Sequence, residues 1–150
     1  MNKDGIVLND RKLNEECGVF GIYSRNDSVD VAREAYLALY ALQHRGQQSC
    51  GIAVNDRGVI SSYKELGLVP DVFSQKAFDT LGKGQMAIGH CRYSTLGGVT
   101  RENSQPLVAR YIKGTLAIAH NGTIINAAAI RTAIEKEGAL FQTSNDAEVI

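Results

Sequence analysis

Short apolar runs bounded by turn residues alternate along this chain with stretches of helical spacing. CGVFGIY (17–23) predicts a buried strand. Ala32, Ala35, Tyr36, Leu39 and Leu42 then recur at helical spacing, with capping side chains in Asn26-Asp27-Ser28 before them and Gly46 as a stop. GIAVN (51–55) and VISSYK (59–64) flank Asp56-Arg57-Gly58, a hairpin signal. Pro70-Asp71 opens a short helix expected to run through Leu81, and QMAIGHCRY (85–93) reads as another buried strand. A Gly/Ser/Thr-rich loop follows from Ser94 to Ser104, and LVARYI (107–112) and TLAIAH (115–120) form a second hairpin about Lys113-Gly114. The alanine-rich stretch from Asn126 to Glu137 predicts a helix stopped by Gly138. SNDAEVI (144–150) begins another, with Asn145 as N-cap and Glu148 three positions on. No stop signal follows it, so the expectation is a domain truncated at its C-terminal end.

Hairpins interspersed with helices give an α+β class. Several strands are apolar on both faces, so the sheet should be covered on both sides. The first 16 residues place Lys3, Asp4, Asp10, Arg11, Lys12, Glu15 and Glu16 around one apolar patch, Ile6-Val7-Leu8, and read as a tail or leader and not a core element. Residues 17–150 then form one domain, because 150 residues suffice for a single core without disulfides.

Charge narrows the function. Sixteen Lys+Arg balance sixteen Asp+Glu, leaving no positive field to hold phosphates, so no nucleic-acid partner is expected. No apolar run approaches the roughly 20 residues of a membrane helix, and the start is too polar for a secretory signal. A cytoplasmic protein with no membrane partner is the expectation. Its cysteines, Cys17, Cys50 and Cys91, should stay reduced. They and His44, His90 and His120 are scattered without a close ligand pair, which disfavours zinc.

Four segments set polar residues directly against apolar strand or helix ends: CGVFGI, HRGQQSCGIA (44–53), GHCRYSTLGG (89–98) and AHNGTIIN (119–126). A core has no use for such rows of polar groups. With the terminal SNDAEVI, they stand in the order found in class II glutamine amidotransferases, the glutaminase domains of the N-terminal-nucleophile hydrolase superfamily. The resemblance runs from Cys17 to Ile150. Within that class, HRGQ, GHCRYSTLGG and a leader before the cysteine most resemble the branch that passes ammonia to phosphoribosyl pyrophosphate at the start of purine synthesis.

The resemblance implies a four-layer αββα sandwich. It implies hydrolysis of L-glutamine to glutamate and ammonia, with Cys17 as nucleophile once the Glu16–Cys17 bond is cleaved. A free α-amino group, with a pKa of roughly 7.7–8.0, can then act as base at the same residue, which an amide nitrogen cannot. Asn121 and Gly122 take the role of oxyanion donors, although Asn-Gly is also a strong turn pair. Arg92 would bind the substrate carboxylate and Asp146 its amino group; a surface ion pair and a helix cap are the local alternatives. Thr95 belongs to the loop lining the pocket. Arg45 and Gly46 match the substrate-binding HRG motif, though a helix C-terminus explains both equally. The three histidines read as packing or hydrogen-bonding residues, and Cys50 and Cys91 as buried thiols. The chain departs from the commoner pattern at Cys91, where relatives often have Val or Thr, and at Leu96, usually a small residue.

No metal or organic cofactor is implied for the glutaminase. The intact relatives need Mg²⁺ at a C-terminal phosphoribosyltransferase domain, and those with a leader often hold an iron–sulfur cluster, both outside this chain. A homo-oligomer is expected of the intact protein. The alternatives are a class II amidotransferase with another acceptor domain, or a non-catalytic fragment with a decayed pocket.

Overall fold

The computed structural model describes residues 17–93 and 99–150. The expected leader (1–16), Thr95 and Leu96 lie outside the described residues.

Four strands form one antiparallel sheet: β1 (Gly18–Tyr23), β2 (Ser49–Asp56), β3 (Val59–Leu66) and β4 (Met86–Arg92), in the order β1-β4-β2-β3. Opposite residues such as Gly18↔Cys91 and Cys50↔Cys91 fix the register, so positions 18, 20, 22, 50, 52, 54, 87, 89 and 91 share one face. That face carries Cys50, Ile52, Val54, Ala87 and Cys91, all buried, and packs on helix α1 (Val31–Ala41) through Val31, Ala35 and Leu39. Gly89 lets Leu39 lie directly on the strand, since a Cβ there would sit 3.0 Å from its side chain. The β2–β3 turn places Arg57 (φ 50°) and Gly58 (φ 96°) in the left-handed region, the pair that a tight hairpin with strand twist requires.

Helix α1 begins later than its capping cluster suggested. Asp30 is the N-cap, its carboxylate accepting from Arg33 N–H, while Asn26 closes a local turn by accepting from Ser28 N–H at 3.0 Å. Several capping residue types lie between positions 26 and 30, and Val31 and Ala32 decide among them by being buried. Gly46 does not end the helix in a left-handed cap; a 3-10 turn (Gln43–Arg45) intervenes and Gly46 is extended. The single helix expected over 70–81 is two, α2 (Val69–Val72) and α3 (Gln75–Leu81). The break frees Phe73 to pack against Tyr36, Tyr63 and Phe78, with ring centroids 6.1–6.2 Å apart.

The opposite face of the sheet meets the hairpin β5 (Leu107–Tyr111) and β6 (Gly114–Ile118). Val19, Gly21 and Ile88 face Ala117 and Ile118 across it. Helix α4 (Ala127–Lys136) and a 3-10 turn (Asp146–Val149) pack on each other. The helix has no fully buried residue, so this outer layer is the least developed. The order helices, sheet, hairpin and single helix keeps the α+β class.

Candidate active site

The site forms where β1 starts and β4 ends. Because β1 pairs with β4 up to Gly18↔Cys91, Cys17 arrives beside Tyr93, one residue past the strand. Tyr93 N–H donates to Cys17 Sγ at 3.3 Å, and the thiol donates to the Tyr93 carbonyl at 3.3 Å. Of the three free thiols only Cys17 is partly exposed. Burial pushes the Cys91 thiol up to about 12 and raises that of Cys50 further. Neither can supply a thiolate at neutral pH.

The Cys17 carbonyl is held from two sides. Arg45 Nε donates to it at 3.3 Å and Asn121 Nδ2 at 2.6 Å. Gly46 makes the first contact possible: a Cβ there would lie 2.7–2.8 Å from the Cys91 and Arg92 backbone, too close for any other residue. The sequence left Arg45 and Gly46 between substrate binding and a helix end; in the structure Arg45 Nε meets the nucleophile's backbone and Gly46 packs against β4. Asn121 and Gly122 follow β6. A Cβ on Gly122 would meet His120 Nε2 at 2.9 Å, so the glycine packs on that ring. Asn121 keeps a second N–H on its amide nitrogen, which a developing oxyanion could use.

Cys17, Arg92, Gly122 and Asp146 line one cleft of about 360 Å³, with Tyr93, Gln105, Ile124 and Arg131 among its other walls. That is the lower end of the range for small-molecule sites. The structure therefore brings four of the eight residues proposed from sequence into one cleft; Arg45 and Asn121 hold the Cys17 carbonyl beside it, Gly46 packs against β4, and Thr95 lies outside the described residues. Arg92 projects from β4 and is buried. Burial lowers its pKa, while Cys17 and Asp146 act the other way, and a guanidinium stays charged at neutral pH. Asp146 opens the last 3-10 turn, where its Oδ2 accepts from Ile124 N–H at 2.7 Å. A buried cation and a carboxylate in one cleft suit the two charged ends of an α-amino acid.

His90 stands behind the nucleophile on β4, fully buried, its Nε2 3.1 Å from the His120 carbonyl. Desolvation pulls its pKa down to about 4, against a bond to that carbonyl that favours the cation. His90 is thus neutral at physiological pH and is no general base there. Its pKa sits below the usual 6.5, so the unfolded chain binds the extra proton first and stability falls as pH drops from 6.5 through 4. The full effect is of order 3 kcal/mol. His90→Gln keeps an N–H donor without a titrating ring. It should narrow the difference in Tm between about pH 7 and pH 5, read by thermal denaturation; an unchanged difference would assign the acid sensitivity elsewhere.

Several residues at the site have no counterpart in the sequence reading. Asn103 and Gln105 are buried and bond to the segments carrying Asp146 and Gly122. The run Asn103-Ser104-Gln105, polar against the apolar start of β5, was the available signal. Arg131 lies 3.9 Å over the Phe141 ring and donates to the Asn145 carbonyl at 3.3 Å. Burial raises the Glu148 carboxyl, but bonds from Gln142 and Thr143 together with Arg131 bring it below the usual range. Among the described residues no group of three His, Cys, Asp or Glu could hold a metal ion, and no helix is long and apolar enough to cross a membrane.

A family profile described as a glutamine amidotransferase domain matches residues 74–150. The amidophosphoribosyltransferase of Methanothermobacter thermautotrophicus is 45% identical over 96% of the chain, and that of Bacillus subtilis 44% over 92%. The chain spans 30% and 28% of those relatives' lengths. Among solved structures, one described as the allosteric regulatory enzyme of purine biosynthesis superposes with a TM-score of 0.78 at 42% identity. The match covers 87% of this chain and 28% of that one. Glutamine phosphoribosylpyrophosphate amidotransferase from B. subtilis, complexed with ADP and GMP, gives 0.75 at 41%, over 87% and 27%. The fold is the N-terminal-nucleophile type.

Proposed function

Because this chain belongs to the glutamine amidotransferase domain family, we propose that it is the glutaminase part of an amidophosphoribosyltransferase. It releases ammonia from L-glutamine for transfer to phosphoribosyl pyrophosphate. The observation that carries the chemistry is the shared cleft: the Cys17 thiol, the Arg92 guanidinium, the Asp146 carboxylate and the Gly122 turn line one volume. Arg92 takes the substrate α-carboxylate and Asp146 the α-ammonium, which leaves the side-chain carboxamide to reach Cys17. The thiol adds to the carboxamide carbon, and the oxygen gains negative charge against the Asn121 amide and the Gly122 N–H. The C–N bond breaks with the thiol's proton passing to the departing ammonia. Water then cleaves the γ-glutamyl thioester, giving glutamate and restoring the thiol.

The proton needs a base. In the sequence as given the Cys17 nitrogen is an amide, and removal of residues 1–16 would make it an amine of suitable pKa. Residues 1–16 thus serve as a leader that keeps the site inactive, and 17–150 as the glutaminase domain. Thr95 belongs to the same reading as a substrate-binding residue. The acceptor chemistry, any Mg²⁺ or iron–sulfur cluster, and assembly into a cytoplasmic homo-oligomer belong to the rest of the protein.

The test is made on the full-length protein. With glutamine and phosphoribosyl pyrophosphate together, glutamate and pyrophosphate should form in equal amounts. Glutamate without pyrophosphate would keep the glutaminase and replace the acceptor. No glutamate under any condition would leave a non-catalytic domain.

A further inference from the structure

The two halves of the cleft are carried by separate segments, the turn at 120–122 and the turn at 144–146, and one looped piece of chain grips both. Residues 101–106 lie across the sheet. Lys64 of β3 donates to the carbonyls of Glu102 (3.1 Å) and Ser104 (2.6 Å), and Arg101 Nε returns to the Lys64 carbonyl at 3.2 Å. Gly51 admits this close approach: a Cβ there would collide with the Gln105 carbonyl and lie 3.1 Å from Pro106 Cδ. Asn103, Ser104 and Gln105 are all buried.

From this anchored strap two side chains reach in different directions. Gln105 Oε1 accepts from His120 N–H at 2.6 Å, one residue before Asn121-Gly122. Asn103 Oδ1 accepts from Ser144 N–H at 3.0 Å and its Nδ2 donates to Ser144 Oγ at 2.9 Å. The Asn103 carbonyl accepts from Asn145 Nδ2 at 3.1 Å, one residue before Asp146. The link from Gln105 Nε2 to Asn145 Oδ1 is 3.5 Å, at the limit of a hydrogen bond, so the two arms are nearly independent.

We infer that residues 101–106 set the spacing between the oxyanion turn and the amino-end carboxylate, with Gln105 and Asn103 as separate positioning residues. This rests on the glutaminase reading. Glutamine bound in one rotamer presents its amide carbon and its α-ammonium at one separation, and misplacement of either end by about 1 Å costs on the order of 10²-fold. Gln105 acts where charge develops, so its loss falls on kcat. Asn103 acts on the ground-state grip of the α-ammonium, so its loss falls on KM.

The experiment uses the full-length protein with glutamine and with 4-carbamoylbutanoate, which lacks the α-amino group. Gln105→Met should lower kcat for glutamine by about 10–10²-fold with KM within about threefold. Gln105→Glu, which keeps an acceptor for His120 N–H, should restore kcat to within about threefold. Asn103→Leu should raise KM for glutamine by about 10–10²-fold while leaving kcat/KM for 4-carbamoylbutanoate at the parent value within about threefold. Either apolar variant with parent kinetics overturns the inference. So does Asn103→Leu lowering both substrates equally, the mark of a general structural defect. Should an apolar variant not fold, Gln105→Glu or Asn103→Asp decides, since each keeps its acceptor and a loss beyond about tenfold in kcat or KM respectively overturns the inference. A parent protein that forms no glutamate overturns the glutaminase reading itself; an active parent with unaffected variants overturns only the strap.

Discussion

Replacing Cys17 with alanine in the full-length protein is expected to abolish glutamine-dependent turnover while the reaction with free ammonia continues. The loss should be complete within detection, because the other two thiols cannot substitute. Cys50 and Cys91 face each other on β2 and β4 beneath α1, fully buried, and both titrate far above neutrality. Cys50→Ser and Cys91→Ser should act through packing alone and keep glutaminase activity within about tenfold. If the leader leaves by self-cleavage, with the Cys17 thiol attacking the Glu16 carbonyl in an N-to-S shift and water hydrolysing the resulting thioester, the Cys17→Ala protein should also retain residues 1–16. Glutamate release is measured by a coupled assay, and the N-terminus by intact mass. Glutaminase turnover in Cys17→Ala would remove the nucleophile assignment.

The second large effect is expected at Asn121. Its amide nitrogen donates to the Cys17 carbonyl at 2.6 Å. Asn121→Asp replaces that donor with an acceptor, so two oxygens oppose each other at the nucleophile's backbone. The same change sets a carboxylate where the tetrahedral intermediate becomes negative. Loss of one oxyanion donor alone typically lowers kcat by about 10²–10³-fold. We expect at least about 10²-fold, with a smaller change in KM, because the interaction strengthens in the transition state. Steady-state kinetics decide: a rise in KM with kcat preserved would make Asn121 a binding or turn residue.

The parts of the site visible in sequence were those whose chemistry is local. Cys17, Arg92 and Asn121-Gly122 each sit at an apolar strand's end, where a polar residue stands out against its neighbours; Asp146 reads locally as a helix cap and takes its role only from the resemblance. The strand pattern was legible for the same reason: β2 and β4 are short apolar runs between turns. Helix boundaries were less so, because burial of Val31 and the packing of Phe73 are tertiary facts. Asn103 and Gln105 escaped entirely. Their partners lie 41 and 15 residues away, and three of the four bonds concerned involve a backbone atom that no residue type announces. For Arg45 the motif suggested substrate and a helix end equally, and neither discloses the bond from its Nε to the Cys17 carbonyl, a contact across 28 residues.

Among the described residues β1 pairs with β4 alone, and its ladder begins at Gly18. Cys17 therefore lies just outside the last paired residue. Cutting the chain before it breaks none of the pairs that run from Gly18 to Tyr23. In the proposed reading, cleavage there changes the chemical identity of one nitrogen, from amide to amine, at a position outside the β1–β4 ladder. That ladder is then common to precursor and working enzyme, and activation is a one-way covalent event at its end.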